Sequence, residues 1–251
     1  LLRCMATALL LCDKVGAERD IVIAVFLSPL VEGEFMLLDD VSSLFGNDVV
    51  KLIKGLIKTN ELDSKQGAMS SEYFKNLLLV FADDIRVIFI IIVDCLCLMR
   101  MINNHPDNHY RMRITAEASN LYAPLAHKLG LYKIKSELED LSLKYSNPDA
   151  YGQIKKVVAA KKQERADYLS KAQQEIYKAS SRAGLEVTIS SRAKHFYSIY
   201  QKMRKRNKTV DELFDLLALR ILCETSGDCY VLVGLVHGLW KPLEGRFKDY
   251  I

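Results

Sequence analysis

A row of basic and hydroxyl side chains between Arg192 and Lys202 offers the clearest chemistry in the sequence. Lys194, Ser198 and Lys202 follow one another at four-residue intervals, so on a helix they line one face. Two ammonium groups flanking a hydroxyl suit phosphate oxygens, and Arg192 offers a planar fork that binds phosphate or lies on a base. Unpaired N–H groups at the helix start also attract an anion. The spacing alone is equally typical of a solvent-exposed basic helix.

This row lies in the most basic stretch of the chain. Residues 181 to 210 include eight Lys or Arg and one Glu, a local charge of +7, whereas the whole chain carries +4. The remaining residues therefore sum to about −3. We expect an anion to meet this stretch. Four further cations are predicted to lie at the surface, with nucleic-acid contact as the alternative: Arg204, Lys205, Arg206 and Lys208.

Asp215 precedes an apolar run of strand length that ends at Cys223. A carboxylate at the beginning of a strand, beside a row of phosphate-binding side chains, is well placed to bind Mg²⁺. A lone aspartate is also an ordinary surface residue. Arg220 lies five positions later, so strict alternation places it on the opposite face unless Asp215 lies in the preceding turn. Lys248 belongs to a glycine-containing loop that suits close approach to a nucleotide but is also typical of a surface turn.

The elements that must position these side chains alternate between strand and helix. The segments are a strand at Leu185–Ile189, a helix at 194–206, a strand at Leu216–Cys223 and a helix at Tyr230–Trp240. This order predicts an α/β or α+β module. Asn147-Pro148-Asp149 is a helix-start sequence, and the polar residues from there to about Ser181 predict exposed connecting helices.

The first part of the chain, to about Tyr145, has helical spacing throughout and predicts an all-helical unit. Asp84 is placed to cap the apolar helix beyond it. We predict that the run Val87–Val93 is a buried helix, far too short to cross a bilayer. Amphipathic helices are predicted at Val49–Ile57 and Tyr73–Phe81. Breaks are predicted at Gly16, at Pro29 with Gly33, at Gly46-Asn47, at Asp63–Ser71 and at Asn103–Asn108.

Composition limits the class of protein. With 50% hydrophobic and 26% charged residues, the chain can bury one large core or two modest ones, which excludes disorder and collagen. Six cysteines lack a Cys-x-x-Cys pair and predict buried, reduced thiols and a cytosolic location. Because the sequence begins without methionine and stops within a motif, we expect it to be a piece of a longer protein.

Three long motifs cover the end of the chain: S-R-A-K-H-F-Y-S-I-Y-Q-K-M, F-D-L-L-A-L-R-I-L and V-H-G-L-W-K-P-L-E-G-R-F-K-D-Y-I. They resemble the synthetase domain of RelA/SpoT homologues, the long (p)ppGpp synthetase/hydrolases. Upstream, L-Y-A-P-L-A-H-K-L-G-L-Y-K-I-K-S-E-L resembles the segment that joins that family's two halves. The resemblance implies an α+β multidomain fold: an all-α HD-type helical domain at 1–145, connecting helices at 146–184, and part of a nucleotidyltransferase-like mixed-sheet synthetase domain at 185–251.

The same resemblance implies that pyrophosphate is transferred from ATP to the 3′ hydroxyl of GTP or GDP. By motif, Asp215 would be the catalytic Mg²⁺ ligand. The residues that would hold ATP are Arg192, Lys194, Ser198, Lys202, Arg220 and Lys248. The basic version of the loop at 246–249 inclines the acceptor toward GTP. Further implications are a cytoplasmic protein with no membrane contact, and ribosome or tRNA contacts through regions outside this chain.

Where the family's hydrolase half carries metal ligands, this chain departs from the pattern. Ser28 and Pro29 stand in place of the family's His-Asp pair, Asp94 is retained, and Leu98 falls within the second motif. The earlier histidine ligand falls near Arg3 by spacing. One carboxylate without imidazole partners should not hold Mn²⁺, so none is expected here. We predict that Asp94 is capped or paired inside the helical bundle.

Two other functions stay open. The chain could belong to a member without either activity that binds nucleotide or RNA through the basic stretch, or, as a less favoured reading, to a (p)ppGpp hydrolase. In every case we expect the isolated piece to be inactive in synthesis, because half of the nucleotide cleft is absent.

Overall fold

A computed structural model describes residues 1–66, 83–160, 162–210, 217–245 and 247–250. The chain divides into two compact units, Leu1–Pro148 and Asp149–Ile251. Within these described ranges the first unit is built of helices, whereas the second combines helices with two strands. The predicted α+β multidomain fold is therefore confirmed.

The first unit is a helical bundle, as predicted. Its helices are α1 (Leu2–Val15), α2 (Arg19–Glu32), α3 (Leu38–Phe45), α4 (Asn47–Gln66), α5 (Arg86–Met101), α6 (Asn108–Glu117), α7 (Ala123–Lys128) and α8 (Tyr132–Ser146). A short 3-10 turn (Ile102–Asn104) follows α5, and a π-helical turn (Ala118–Tyr122) joins α6 to α7. Gly16 ends α1 in the left-handed conformation that glycine adopts without strain (φ 70°).

Helix α5 forms the centre of this core and packs against α1, α4 and α8. Asp84 caps its start as predicted, because the carboxylate accepts the Arg86 N–H at 2.9 Å. The buried-helix prediction for Val87–Val93 is confirmed, but the argument from length was wrong. The helical stretch Arg86–Asn104 has a mean hydropathy of 2.0 and is long enough to cross a membrane. Since 56% of that stretch is buried within the protein, it also has the character of a core helix.

Two predicted breaks in the first unit begin later than predicted, because α2 ends at Glu32 beside Gly33 and α4 ends at Gln66, within the predicted range Asp63–Ser71. Pro29 lies inside α2, which continues to Glu32, because a proline near a helix end removes only one hydrogen bond. Helix α4 contains the predicted Val49–Ile57 helix and runs through Asp63 to Gln66. The predicted helix Tyr73–Phe81 lies outside the described residues.

The second unit places a two-stranded antiparallel ribbon among helices. Its elements are α9 (Pro148–Ala160), α10 (Lys162–Arg182), β1 (Thr188–Ala193), α11 (Phe196–Arg206), β2 (Leu217–Leu222) and α12 (Ser226–Leu239). Helix α9 begins at Pro148, as predicted. Helix α10 packs against both strands and α12. The buried Ile189 donates its backbone N–H to the Tyr177 hydroxyl at 3.1 Å, which fixes β1 on α10. The finer division at 145 and 184 stays a prediction.

The predicted elements around the basic stretch are shifted along the chain. Strand β1 begins at Thr188 rather than at Leu185 and continues to Ala193, because pairing with the six residues of β2 sets its extent. Helix α11 consequently begins at Phe196, two residues later than predicted. Helix α12 begins at Ser226, four residues earlier, since Thr225 and Asp228 form a reciprocal capping box.

The cysteine prediction is confirmed for two of six thiols. Cys95 and Cys97 are buried on α5, and burial raises the pKa of both thiols. The expectation of burial was wrong for the other four, because Cys12 is exposed and Cys4, Cys223 and Cys229 are half-buried.

Candidate functional site

The exposed face of the β1–β2 ribbon is the first part of the candidate site. Ser190 pairs with Arg220 and Arg192 pairs with Ala218. Because paired residues and alternate residues share a face, these four positions lie on the same side of the ribbon. Arg220 is exposed to solvent there. The side chain of Arg192 lies outside what the structure describes, but its backbone position is on the Arg220 face.

The opposite face of the ribbon packs inward. Ile189 is 9% exposed, and Leu219 and Ile221 are half-buried. The alternation of apolar and polar residues therefore decides which side of the ribbon meets solvent. An anion that reaches the ribbon from solvent meets the side that carries Arg220.

The connection between β1 and α11 changes the predicted row of phosphate-binding side chains. His195 has extended backbone angles (φ −64°, ψ 147°), and its carbonyl accepts the Ile199 N–H at 3.1 Å. Lys194 therefore precedes the helix, and the prediction that it shares a helical face with Ser198 was wrong. Ser198 and Lys202 remain one turn apart on α11. The physical reason is that β1 keeps the chain extended up to the helix start.

The start of α11 remains suited to an anion. Its first N–H groups have no acceptor within the helix, and Ser198 lies in that first turn. Lys194 and Ser198 are both half-buried beside this helix end. At the other end of the helix, the predicted surface position of Arg204, Lys205, Arg206 and Lys208 is confirmed by their exposure.

The loop that carries Lys248 is anchored on α12. The Tyr230 hydroxyl donates a hydrogen bond to Asp249 Oδ2 at 3.1 Å, and this bond raises the pKa of Tyr230. The rings of His237 and Phe247 meet edge to face with centroids 6.0 Å apart. Lys248 itself is exposed between these two anchors. Sequence reasoning missed Tyr230 and Asp249, since residues 19 positions apart give no local signal of contact.

The predicted metal ligand Asp215 lies outside the described residues. Within the described ranges no three His, Cys, Asp or Glu side chains are grouped closely enough to hold a metal ion. The cations predicted to hold ATP lie on the ribbon, at α11 and in the 247–250 loop, and both their role and the magnesium assignment stay predictions.

Asp94, on α5 of the first unit, is held by a guanidinium from the neighbouring helix α1. Arg3 on α1 donates from Nε to Oδ1 at 2.8 Å and from Nη2 to Oδ2 at 2.6 Å. The buried Thr7 donates its hydroxyl to Oδ1 at 3.1 Å. Burial opposes the charge on Arg3, but the hydrogen bonds and negative charge of Asp94 outweigh it and raise the pKa of Arg3. Both carboxylate oxygens of Asp94 are thus occupied.

Ser28, Pro29 and Leu98, the other residues named for the hydrolase site, carry no imidazole or carboxylate. Ser28 is half-buried and Pro29 exposed near the end of α2, whereas Leu98 packs against the hydrophobic core. Mn²⁺ in a hydrolytic site needs several oxygen or imidazole donors. A single carboxylate already paired with a cation does not fit this metal.

Comparison with known proteins agrees with this two-part organisation. A family model described as HD domain matches residues 1–132, more than half of the chain. A second model, described as a region found in RelA and SpoT proteins, matches residues 191–251. The chain belongs to the RelA/SpoT family.

RelA/SpoT relatives that are named for different activities match the chain at similar identity. A probable guanosine-3′,5′-bis(diphosphate) 3′-pyrophosphohydrolase of Synechocystis is 36% identical over 98% of this chain and 32% of its own length. A probable GTP pyrophosphokinase of Mycobacterium leprae is 36% identical over 95% of this chain and 30% of its own length. The bifunctional (p)ppGpp synthase/hydrolase SpoT of Escherichia coli is 35% identical, covering 93% of this chain and 33% of itself. The chain spans about a third of the length of these relatives.

In RelA/SpoT terms, the two sets of candidate residues fall in different regions. Ser28, Pro29, Asp94 and Leu98 lie within the HD-domain match, and the ribbon, α11 and loop residues lie within the RelA/SpoT match. Since relatives carry names for both synthesis and hydrolysis, the distinction between the activities has to come from the residues of each unit.

Proposed function

We propose that this chain is part of a RelA/SpoT protein that transfers pyrophosphate from ATP to the 3′ hydroxyl of GTP or GDP. The observation that carries the proposal is the solvent-exposed ribbon face that displays Arg220 and position 192 next to the start of α11. Phosphoryl-type transfer depends on cations aligned with developing negative charge, and it needs no covalent nucleophile. Relatives that are named as GTP pyrophosphokinases support the same reaction.

Each part of the second unit has a role in this proposal. Ser198 and the first N–H groups of α11 bind ATP phosphate oxygens, while Lys194 and Lys202 neutralise them. Arg192, Arg220 and Lys248 orient the donor nucleotide. Asp215 would hold Mg²⁺, which neutralises charge on the transferred group when bound. The acceptor is GTP or GDP, and the basic loop at 246–249 inclines it only weakly toward GTP.

The first unit, in this proposal, does not hydrolyse (p)ppGpp. The bidentate pairing of Arg3 with Asp94 supports this, because a guanidinium lies on the carboxylate that a metal would need. An arginine also repels a divalent cation at that position. The unit then serves as a structural or regulatory partner of the synthetase.

The proposed setting is the cytoplasm, with ATP and GTP or GDP as substrates. Contacts with ribosome or tRNA would run through regions outside this chain. The chain taken alone is expected to be inactive in synthesis, since the relatives are about three times longer.

The decisive experiment replaces Asp215 with Asn in the full-length protein and follows transfer of label from γ-labelled ATP to GTP. Synthesis should fall by at least ~100-fold, because a metal contributes several kcal/mol of transition-state stabilisation. Asp39→Asn, at an exposed position of α3, is the matched control and should retain full activity. Unchanged synthesis in Asp215→Asn would reject the metal role.

Two further measurements on the wild-type protein separate the alternatives. Binding of ATP or GTP without any label transfer would favour a nucleotide-binding regulatory protein. Mn²⁺-dependent release of pyrophosphate from (p)ppGpp would favour the hydrolase, and would contradict the inactive first unit.

A further inference from the structure

The connection between β2 and α12 brings two thiols together. Cys223 follows directly after β2, and Cys229 lies in the first turn of α12. Their Sγ atoms are 3.2 Å apart, and both residues are half-buried. Two sulfur atoms at this separation are already in contact, whereas a disulfide bond is about 2.05 Å long.

The backbone around these thiols is held in place by its own hydrogen bonds. Thr225 Oγ1 accepts the Asp228 N–H at 3.2 Å, and the Asp228 carboxylate accepts the Thr225 N–H at 3.1 Å. The Cys223 thiol lies 3.6 Å from the Thr225 carbonyl oxygen, which it can donate to. The loop therefore presents the two sulfur atoms to each other before any bond forms.

We propose that Cys223 and Cys229 form a site of reversible oxidation. The two thiols become an intramolecular disulfide when they react with a low-molecular-weight disulfide such as glutathione disulfide. One cysteine thiolate attacks the small disulfide and expels one glutathione thiolate, which leaves a mixed disulfide on the protein. The second cysteine thiolate then attacks the protein sulfur and expels the other glutathione. The pair loses two electrons and two protons, and glutathione disulfide becomes two glutathione molecules.

The other four cysteines are less suited to this reaction. Cys95 and Cys97 are buried in the core of the first unit, where a dissolved disulfide cannot reach their sulfur atoms. Cys4 and Cys12 lie on α1 and belong to the other compact unit. Selectivity for Cys223 and Cys229 thus follows from the short distance between them.

The reaction should be faster in alkaline solution. The hydrogen bond with Cys229 raises the pKa of Cys223 to about 11, so this thiol is largely protonated near neutral pH. Because only thiolates attack disulfides, oxidation should accelerate about tenfold for each pH unit between pH 7 and pH 8.

The disulfide would act on the elements that carry candidate site residues. It joins the end of β2 to the first turn of α12. Strand β2 carries Arg220, and helix α12 carries Tyr230. It would restrict movement of the strand relative to the helix. The chemistry of the two thiols can be tested whether or not the protein makes (p)ppGpp.

The test treats the full chain with glutathione disulfide and maps the cysteines by mass spectrometry. Both cysteines lie in one tryptic peptide, residues 221–246, since trypsin does not cleave between Lys241 and Pro242 and no other Lys or Arg occurs between Arg220 and Arg246. The disulfide makes that peptide lighter by two hydrogen atoms. Further cleavage after Glu224 leaves the two parts joined until a reductant is added.

Matched variants complete the test. Cys12→Ser should leave the two-hydrogen loss unchanged, whereas Cys223→Ser and Cys229→Ser should abolish it. If a serine variant fails to fold, mapping of the wild-type peptide decides the question by itself. Stable glutathione adducts at 223 or 229 without loss of the two hydrogens, or preferential oxidation of Cys12, would overturn the proposal.

Discussion

Arg3 in the first unit and Arg220 in the second show two uses of a cation in one chain. The Arg3 guanidinium is paired with Asp94, at 2.6 and 2.8 Å, whereas Arg220 faces solvent from the ribbon. A bidentate pair occupies two donors of the guanidinium, and it also blocks the carboxylate from a metal. A solvent-facing arginine keeps its donors for a ligand. On the proposed function, the second unit therefore binds the ligand, whereas the Arg3–Asp94 pair in the first unit is a structural contact.

The largest expected effect tests the solvent-facing side of this comparison. Arg220→Ala in the full-length protein should lower pyrophosphate transfer from ATP by ~100-fold, because a preorganised cation is removed from the transferred group. Arg204→Ala, at the exposed end of α11, is the matched control and should change the rate less than ~2-fold. Equal losses of transfer rate in the two variants would show that Arg220 acts only through the general positive charge of the unit and not as a site residue. The measurement is the initial rate of label transfer.

The next effect tests the internal pair. Arg3→Met should lower the free energy of unfolding of the first unit by about 1 kcal/mol, since the half-exposed pair loses two charged hydrogen bonds that solvent partly screens. Lys14→Met should have little effect, because its partner Asp13 is exposed. Native-state hydrogen exchange in α1 and α5 measures the change.

The same position tests whether the pair has replaced a metal site. Arg3→His restores an imidazole beside Asp94 but supplies no further ligand. We expect no Mn²⁺-dependent (p)ppGpp hydrolysis in this variant of the full-length protein. Restored hydrolysis would show that the first unit lost its activity through Arg3 alone.

A somewhat smaller effect is expected at the start of α5, where charge pairing is again internal. The Arg86 side chain and N–H hold the pKa of Asp84 below its ordinary value of 3.8. Since the folded-state pKa is lowered, the stabilisation is present above pH 3.8 and is lost as the pH falls through the folded value. Asp84→Asn should therefore cost about 1 kcal/mol or less at pH 7 and almost nothing near pH 2.

Unfolding measured at several pH values checks this difference, with Asp39→Asn as the exposed control. An energy gap between Asp84→Asn and wild type that persists near pH 2 would contradict the charge-pair explanation. It would assign the effect to packing at the start of the helix.

The smallest effect concerns the loop that presents Lys248. Tyr230→Phe removes the hydrogen bond to Asp249 and should raise amide exchange at residues 247–250 a few-fold, with no change in the first unit. Tyr168→Phe, on the exposed surface of α10, is the control. Unchanged exchange in Tyr230→Phe would show that the His237 and Phe247 ring contact alone holds the loop.

Local signals in the sequence were sufficient for several helix boundaries. Asp84 and Asn147-Pro148-Asp149 mark helix starts because capping carboxylates and an N-terminal proline act within one turn. The row from Lys194 to Lys202 shows the limit of such signals. Its spacing is helical, but β1 pairs with β2 up to Ala193 and His195 has extended backbone angles, which leaves Lys194 outside the helix.

The sequence by itself determined the family, the helical first unit, the strand and helix order of the second, and the concentration of charge near α11. Those features depend on residue type and on contacts within a few positions. Only the tertiary structure decided that Arg3 pairs with Asp94 across 91 positions, that Arg192 and Arg220 share a ribbon face, and that Cys223 contacts Cys229. The reason is physical: packing and strand register bring distant residues together, and neither leaves a mark in local spacing.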